Sequence, residues 1–278
     1  MLRVFFGQHK CASQWATLVI ERICNEIGWR SLTAYGVLIR EHGGLRALLQ
    51  HEKPDFLIIP ESNAELIKEI DQPFRGLHII RDPRDIIVSG YFSHKKSHPL
   101  SPKGVTVEHR EKLQTLPEEG GIDLEIATLG RIPLSNLYHW DYENPWILET
   151  EFKRITNAPF EEFSRILEFM EMIGEKNDSL FAAQCFYNRA VKKAGVKAMQ
   201  IRSEKYARHQ LRKSLDELSF ANLKKGGLKR LGQKTDHYRK GKSGDWQDHL
   251  SLRQEEEITR IFPGIFEKLG YGSSSSKK

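Results

Sequence analysis

Residues 2–15 read LRVFFGQHKCASQW. Leu2–Phe6 is apolar on both faces, as suits a central parallel strand. The run stops at Gly7, a loop follows, and a helical pattern begins near Ser13. Trp15, Leu18, Val19, Arg22 and Ile23 then recur at three-and-four spacing until Gly28. This is a strand, a phosphate-binding loop and a helix, with Lys10 in the loop. Amides at the start of a helix cradle an anion, so the stretch asks which phosphate is bound and for which chemistry.

Further short apolar runs follow. DFLIIP at 55–60 suits a buried strand, and 62–70 a short helix carrying Leu66, Ile67 and Ile70. LHII at 77–80 is a third strand that runs into RDPRDIIVSGYFSH. Asp82 can cap a helix whose first residue is Pro83, where a missing amide hydrogen costs nothing. Arg81 is left at the strand tip, with Ser89 about two turns into the helix. Residues 97–136 have poor periodicity and suggest a long surface excursion with one short helix near 122–129. WILE at 146–149 fits a fourth strand, and 159–173 an amphipathic helix with Phe160, Phe163, Ile166, Leu167 and Met170 on one face. Lys/Arg-rich helix dominates 180–218, a loop fills 222–242, and a last helix at 252–269 breaks at Pro263. The tail, 273–278, reads as disordered.

Apolar strands alternating with amphipathic helices imply an α/β protein with three layers, α/β/α, around a central parallel sheet. One domain over 1–272, with a helical insertion about 180–215, accounts for the chain. Ligands of such sheets bind beyond the carboxyl ends of the strands. Lys10, Glu61 and Arg81 each follow a strand end and are expected to converge there.

Composition narrows the class. The 278 residues are 39% hydrophobic and 29% charged, as in ordinary globular proteins. No run approaches the roughly 18 apolar residues of a membrane span, and the first strand leaves no space for a leader, so the expected location is the cytoplasm. Cys11, Cys24 and Cys185 are too scattered for a disulfide framework. Neither Cys-x-x-Cys nor His-Glu-x-x-His occurs, and no metal is expected. The net charge of +6 hides an asymmetry: residues 189–242 hold 17 Lys or Arg against 4 Asp or Glu, a net +13. That concentration points to an anionic ligand, or to solvated helix faces.

Nucleoside triphosphatases need Gly-x-x-x-x-Gly-Lys-[Ser/Thr], whose hydroxyl holds magnesium. Here Lys10 is followed by Cys11-Ala12-Ser13, so the second glycine and that hydroxyl are missing. Three segments together resemble sulfotransferases instead. Lys10-Cys11-Ala12-Ser13-Gln14-Trp15 is similar to their Lys-Ser-Gly-Thr-Thr-Trp loop. Residues 81–93 resemble their Arg-Asp-Pro-Arg-Asp…Ser…Tyr segment, with Arg81 and Ser89 eight apart. Arg239-Lys240-Gly241-Lys242-Ser243-Gly244-Asp245-Trp246 is similar to their Arg-Lys-Gly-x-x-Gly-Asp-Trp loop.

The resemblance implies a P-loop-like sulfotransferase fold and, as co-substrate, 3′-phosphoadenosine 5′-phosphosulfate (PAPS), whose sulfuryl group moves to a hydroxyl or amine without a metal. Lys10 would stabilise the leaving phosphate oxygen, with Ser13 and Gln14 on the 5′-phosphate. Arg81, Ser89, Arg239, Lys240 and the Gly241 amide would hold the 3′-phosphate. Trp15 and Phe220 occupy the adenine-stacking positions, and Phe152 is a third candidate. Ala12 and Gln14 replace the family's Gly and Thr. Alanine reaches positive φ only at a cost, so either the loop keeps ordinary dihedrals or this arm is somewhat altered.

The acceptor's proton needs a base. Glu61 stands where the cytosolic branch of the family has a histidine; Glu41, His42 and His94 are alternatives. The acceptor would be a small molecule or glycan, the latter suiting Lys192, Lys193, Lys197, Arg202, Lys205 and Arg208. The excursion at 97–136 and the insertion at 180–215 would shape its pocket. Neither nucleic acid nor membrane is an expected partner, and the oligomeric state is open. The rival reading is a non-catalytic nucleotide- or nucleic-acid-binding module using the basic carboxyl-terminal third.

Overall fold

The computed structural model describes residues 1–102, 104–175, 177–223 and 242–272. Five strands form one parallel sheet: β1 (Leu2–Phe6), β2 (Ser31–Thr33), β3 (Phe56–Ile59), β4 (Phe74–Ile80) and β5 (Ile147–Glu151), in the order β2-β3-β1-β4-β5. The apolar run of β1 is explained by its central place, with Phe5 opposite Ile58 on one side and Leu77 on the other.

Helices follow in chain order: α1 (Ser13–Glu26), α2 (Gly36–Glu41), α3 (Leu45–Glu52), α4 (Ala64–Lys68), α5 (Pro83–Lys96), α6 (Val107–Thr115), α7 (Glu118–Ala127), α8 (Arg131–Tyr138), α9 (Phe152–Asn157), α10 (Pro159–Phe169), α11 (Asp178–Lys193) and α12 (Arg208–Glu217). Alternate strand residues go to opposite faces. Phe5, Ile58 and Ile79 pack with Val19 and Ile23 of α1 and Ile87 and Tyr91 of α5. Val4, Phe6 and Ile59 pack instead with Leu45 and Leu48 of α3 and with Trp140. Each large apolar side chain so buried contributes about 1.5–3 kcal/mol. Asp82 accepts from the Arg84 amide at 3.0 Å with Pro83 at the first helical position, as the sequence leads one to expect.

The excursion differs from expectation. It holds three helices, α6 to α8, where one was anticipated, because each is short and buries few side chains, such as Leu113, Ile122 with Ile126, and Leu134 with Leu137. The amphipathic helix at 159 stops at Phe169 rather than 173. Glu171 takes a left-handed conformation (φ 57°) and the Met172 amide bonds back to Leu167 O at 2.7 Å, a closure usually signalled by glycine. Ile173–Gly174 then pairs with Tyr206–Ala207 in a small parallel ribbon. The break at Pro263 is as expected, between helices Leu252–Ile261 and Ile265–Lys268.

The insertion is held by one acid. Glu26 of α1 is fully buried and accepts from Arg22, from Arg189 of α11, and from Tyr206, Gln210 and Ser214. A buried carboxylate is tolerated only with such partners. Among the described residues, no helix is long and apolar enough to cross a membrane.

Candidate active site

The chain leaves β1 toward β2 and leaves β4 toward β5, in opposite directions along the sheet. A crevice therefore opens beyond the carboxyl ends of these two neighbours. A cavity of about 1570 Å³ lies there. Its walls come from the loop after β1, from Pro60 and Glu61 after β3, from Arg81 and Ser89, from the start of α10, and from Arg212 and Leu215 of α12.

The loop is shaped by its backbone. A Cβ at Gly7 would stand 2.8 Å from Pro60 O, so only glycine lets the ends of β1 and β3 pass this closely. Gln8 turns inward and donates to Ser62 O at 2.8 Å, while its own carbonyl accepts from the Cys11 amide at 3.1 Å and the Ser13 hydroxyl at 2.6 Å. Lys10 (φ 64°) and Ala12 (φ 60°) are both left-handed, at a cost of about 1–2 kcal/mol each. Ala12 thus takes the conformation its family counterpart, glycine, would take freely.

Between them Cys11 is fully buried, and burial pushes its thiol up to about 12. Cys11 is therefore a core residue that does not line the cavity, contrary to its expected place among the donor contacts. Lys10, Ala12, Ser13, Gln14 and Trp15 do line it. The first helical bond of α1 runs from Ala16 to Ala12 O at 2.9 Å, which leaves the amides of Ser13, Gln14 and Trp15 without intrahelical partners. Ser13 and Gln14 put the positive end of the helix at the cavity, and no acidic residue in this first turn offsets it. The Ser13 hydroxyl donates within the loop, and its amide is the group available to a ligand. Trp15 belongs to both core and cavity: it is 8% exposed, packs edge-on to Phe163 and donates to Leu218 O at 2.8 Å.

Arg81 is buried yet reaches the cavity. It donates to Lys10 O at 2.8 Å and to Lys242 O at 3.3 Å, and its guanidinium lies 4.1 Å from the Phe152 ring centroid. Burial lowers its pKa, with Asp85 opposing. Asp85 accepts from the amides of Gly244 at 2.8 Å and Trp246 at 3.1 Å. Burial raises its carboxyl against the pull of Arg81 and these amides. Arg84 pairs with Asp82 and Glu255 and lies 3.8 Å over Trp246. The segments Arg81–Asp85 and Gly244–Trp246, 159 residues apart, thus interlock. Ser89 and Phe152 line the cavity. Phe220 opens a helical turn, Phe220–Asn222, whose Ala221 lines it. Arg239, Lys240 and Gly241 lie outside the described residues, as does the tail 273–278.

Of the candidate bases, Glu61 lines the cavity, whereas Glu41 and His42 do not. His42 instead bonds Leu38 O through Nδ1 at 2.9 Å. The cavity walls displace part of the Glu61 hydration and raise its carboxyl, although 66% of the side chain meets solvent; His94 pulls the other way. Glu61 Oε1 lies 3.8 Å from His9 Nδ1. His94 itself is buried.

The sequence did not single out His9, Tyr35, Arg212 or His98, all of which line the cavity. Arg212, 3.8 Å from the Phe160 ring centroid, carried no local signal beyond the basic composition around it. The insertion at 180–215 reaches the cavity only through Arg212 and Leu215; Lys192, Lys193, Lys197, Arg202, Lys205 and Arg208 do not line it. Arg202 pairs with Asp55, and Arg208 with Glu168 and Glu175.

The profile of the sulfotransferase domain matches residues 62–271. The chain belongs to the sulfotransferase family. Solved structures agree on the fold. Mouse sulfotransferase SULT7A1 complexed with PAP superposes with a TM-score of 0.58 at 15% identity, covering 96% of this chain and 83% of that one. Retinol dehydratase with retinol and PAP gives 0.51 at 13% identity, covering 98% and 83%. The same enzyme with androsterone and inactive cofactor PAP gives 0.50 at 13%, with equal coverage. No curated protein sequence matches the chain. In this sulfotransferase, the matched region begins just after Glu61 and takes in the Arg81 and Trp246 segments, while the Lys10 loop precedes it.

Proposed function

We propose that this sulfotransferase moves the sulfuryl group of PAPS to a hydroxyl, or an amine, of a small-molecule acceptor by in-line displacement. One observation carries the reading: Lys10 and the free amides of α1 share a cavity with Arg81 and Ser89. Two anion-attracting groups on adjacent strand ends suit a donor with separate 5′ and 3′ phosphates. The sulfotransferase and retinol dehydratase structures above, crystallised with PAP, support the same donor.

In this scheme the acceptor oxygen bonds to sulfur as the bond from sulfur to the bridging phosphate oxygen breaks. Charge grows on that leaving oxygen. Lys10 and the amides of Ser13 and Gln14 stabilise it where it develops. Glu61 takes the acceptor proton, a role helped by a carboxyl raised above its ordinary value. Arg81, joined by Arg239, Lys240 and Gly241, holds the 3′-phosphate, and Trp15, Phe152 and Phe220 frame the adenine. Tyr35, Phe92 and Pro99 add apolar wall. That favours a small apolar acceptor over an acidic glycan, since Lys192, Lys193, Lys197, Arg202, Lys205 and Arg208 stand off the cavity.

The test is calorimetric titration of the full chain with adenosine 3′,5′-bisphosphate, followed by a radiolabelled-donor screen across phenols, steroids, lipids and saccharides. Saturable nucleotide binding and labelled product are expected. A chain that ignores the bisphosphate yet binds single-stranded DNA would instead be a nucleic-acid module.

A further inference from the structure

Beside Glu61 three imidazoles come together, His9 and His98 on the cavity wall and His94 buried next to them. His9 comes from the loop after β1, His94 from the last turn of α5, and His98 from just beyond it. Their ligand nitrogens all lie within 4.8 Å of one another. The ring centroids are 5.2 Å apart for His9 and His94, 5.2 Å for His9 and His98, and 5.0 Å for His94 and His98. With metal–nitrogen bonds of about 2.0–2.1 Å, imidazoles around one tetrahedral zinc stand about 5 Å apart by their centroids and about 3.3 Å by their nitrogens. His9 Nε2 and His94 Nε2 are 3.0 Å apart.

A second, independent feature lies behind His94. Glu125 is 1% exposed, and its carboxylate meets His94 Nδ1 at 3.0 Å. That bond places the hydrogen on Nδ1 and turns the Nε2 lone pair toward His9. A carboxylate behind an imidazole is the usual means of orienting a metal-ligating histidine. The backbone makes room for it: a Cβ at Gly90 would stand 2.6 Å from Glu125 Oε1.

We propose that His9, His94 and His98 bind one divalent transition-metal ion, zinc for preference, with Glu125 as the outer-sphere partner of His94. Imidazole donors suit zinc, copper or nickel and not magnesium or calcium. His9 and His98 line the large cavity. The fourth position of the ion therefore opens toward it, where water or an oxygen of an acceptor completes the tetrahedron. This inference goes beyond the sulfuryl-transfer reading and does not depend on it.

The experiment uses tag-free full-length protein stripped with chelator and titrated with Zn²⁺ alone, without donor or acceptor, and with Mg²⁺ for comparison. One Zn²⁺ per chain is expected, with an affinity on the order of a micromolar or tighter, and no response to Mg²⁺. Co²⁺ in its place gives the visible bands of a tetrahedral ion. His98→Ala weakens binding about 100-fold or more, and Glu125→Gln about 10–100-fold. Thermal melts establish that each variant is folded, and His98→Ala, half-exposed at the cavity wall, remains decisive should Glu125→Gln unfold. The group His42, His51 and Glu52, in which His51 is exposed and the other two half-buried, is the control: His42→Ala with His51→Ala leaves binding unchanged. Absence of stoichiometric Zn²⁺ binding overturns the proposal. So does binding that survives His98→Ala, or that vanishes with the control pair.

Discussion

The Arg81 guanidinium donates to the Lys10 carbonyl oxygen at 2.8 Å, which joins the phosphate loop after β1 to the tip of β4. The same guanidinium reaches Lys242 O, the first described residue after the Arg239–Gly241 segment. One side chain thus ties together the three segments by which the sequence resembles its family. Arg81→Lys keeps the charge but cannot hold this fork. A fall in affinity for adenosine 3′,5′-bisphosphate of about 10–100-fold is expected by calorimetry, from the 1.5–3 kcal/mol of a charged hydrogen bond. Affinity equal to wild type would confine Arg81 to a scaffold role.

Lys10 faces the cavity from a strained backbone. Lys10→Ala removes the charge and keeps the Cβ, so the left-handed backbone is unchanged. The proposed mechanism predicts a fall in kcat of about 10²–10³-fold, while the melting temperature holds. A rate within a few-fold of wild type would exclude Lys10 as the leaving-group stabiliser.

Ala12 offers a stability test free of chemistry. Its φ of 60° costs an L-residue about 1–2 kcal/mol that glycine avoids. Offset by the greater freedom of glycine in the unfolded chain, Ala12→Gly should gain about 0.5–1 kcal/mol, read as a higher midpoint in denaturant. Ala12→Val should lower it.

Glu61→Gln keeps the size and removes the basic oxygen. With Glu61 as base, kcat drops by about 10²–10⁴-fold, and bisphosphate binding is unchanged because the side chain lies on the acceptor side. An unaltered rate would shift the role to another group.

Glu162 provides a pH test. It is buried and bonds Thr150 at 2.5 Å and Arg165. Burial alone would raise its carboxyl, but hydrogen bonds from Arg165 and Thr150 hold it below its ordinary 4.5. The fold therefore favours the ionised form. That stabilisation is complete above the ordinary value and is lost as pH falls through the depressed one. The stability difference between wild type and Glu162→Gln, about 1–3 kcal/mol near neutrality, should be flat from pH 6 to 8 and shrink below about pH 4.5. A difference independent of pH would show that the charge is not what holds α10 to β5.

Whatever local physics controls can be read along the chain. The β1 run, the helix start at Ser13, the Asp82–Pro83 cap and the break at Pro263 all follow from periodicity, capping and proline geometry within a few residues. Even the convergence of Lys10, Glu61 and Arg81 was legible, because residues at the ends of parallel strands share one edge.

The remaining features arise from contacts between distant segments. Cys11 turns into the core because two left-handed neighbours, neither of them glycine, reverse the chain around it. Glu26 becomes the anchor of α11 and α12 only when partners up to 188 residues away close on it. His9 meets His94 and His98 because β1 and β4 are neighbours in the order β2-β3-β1-β4-β5, which puts the loop of one against the helix of the other. Such contacts depend on strand order and backbone sign, which no window of sequence encodes.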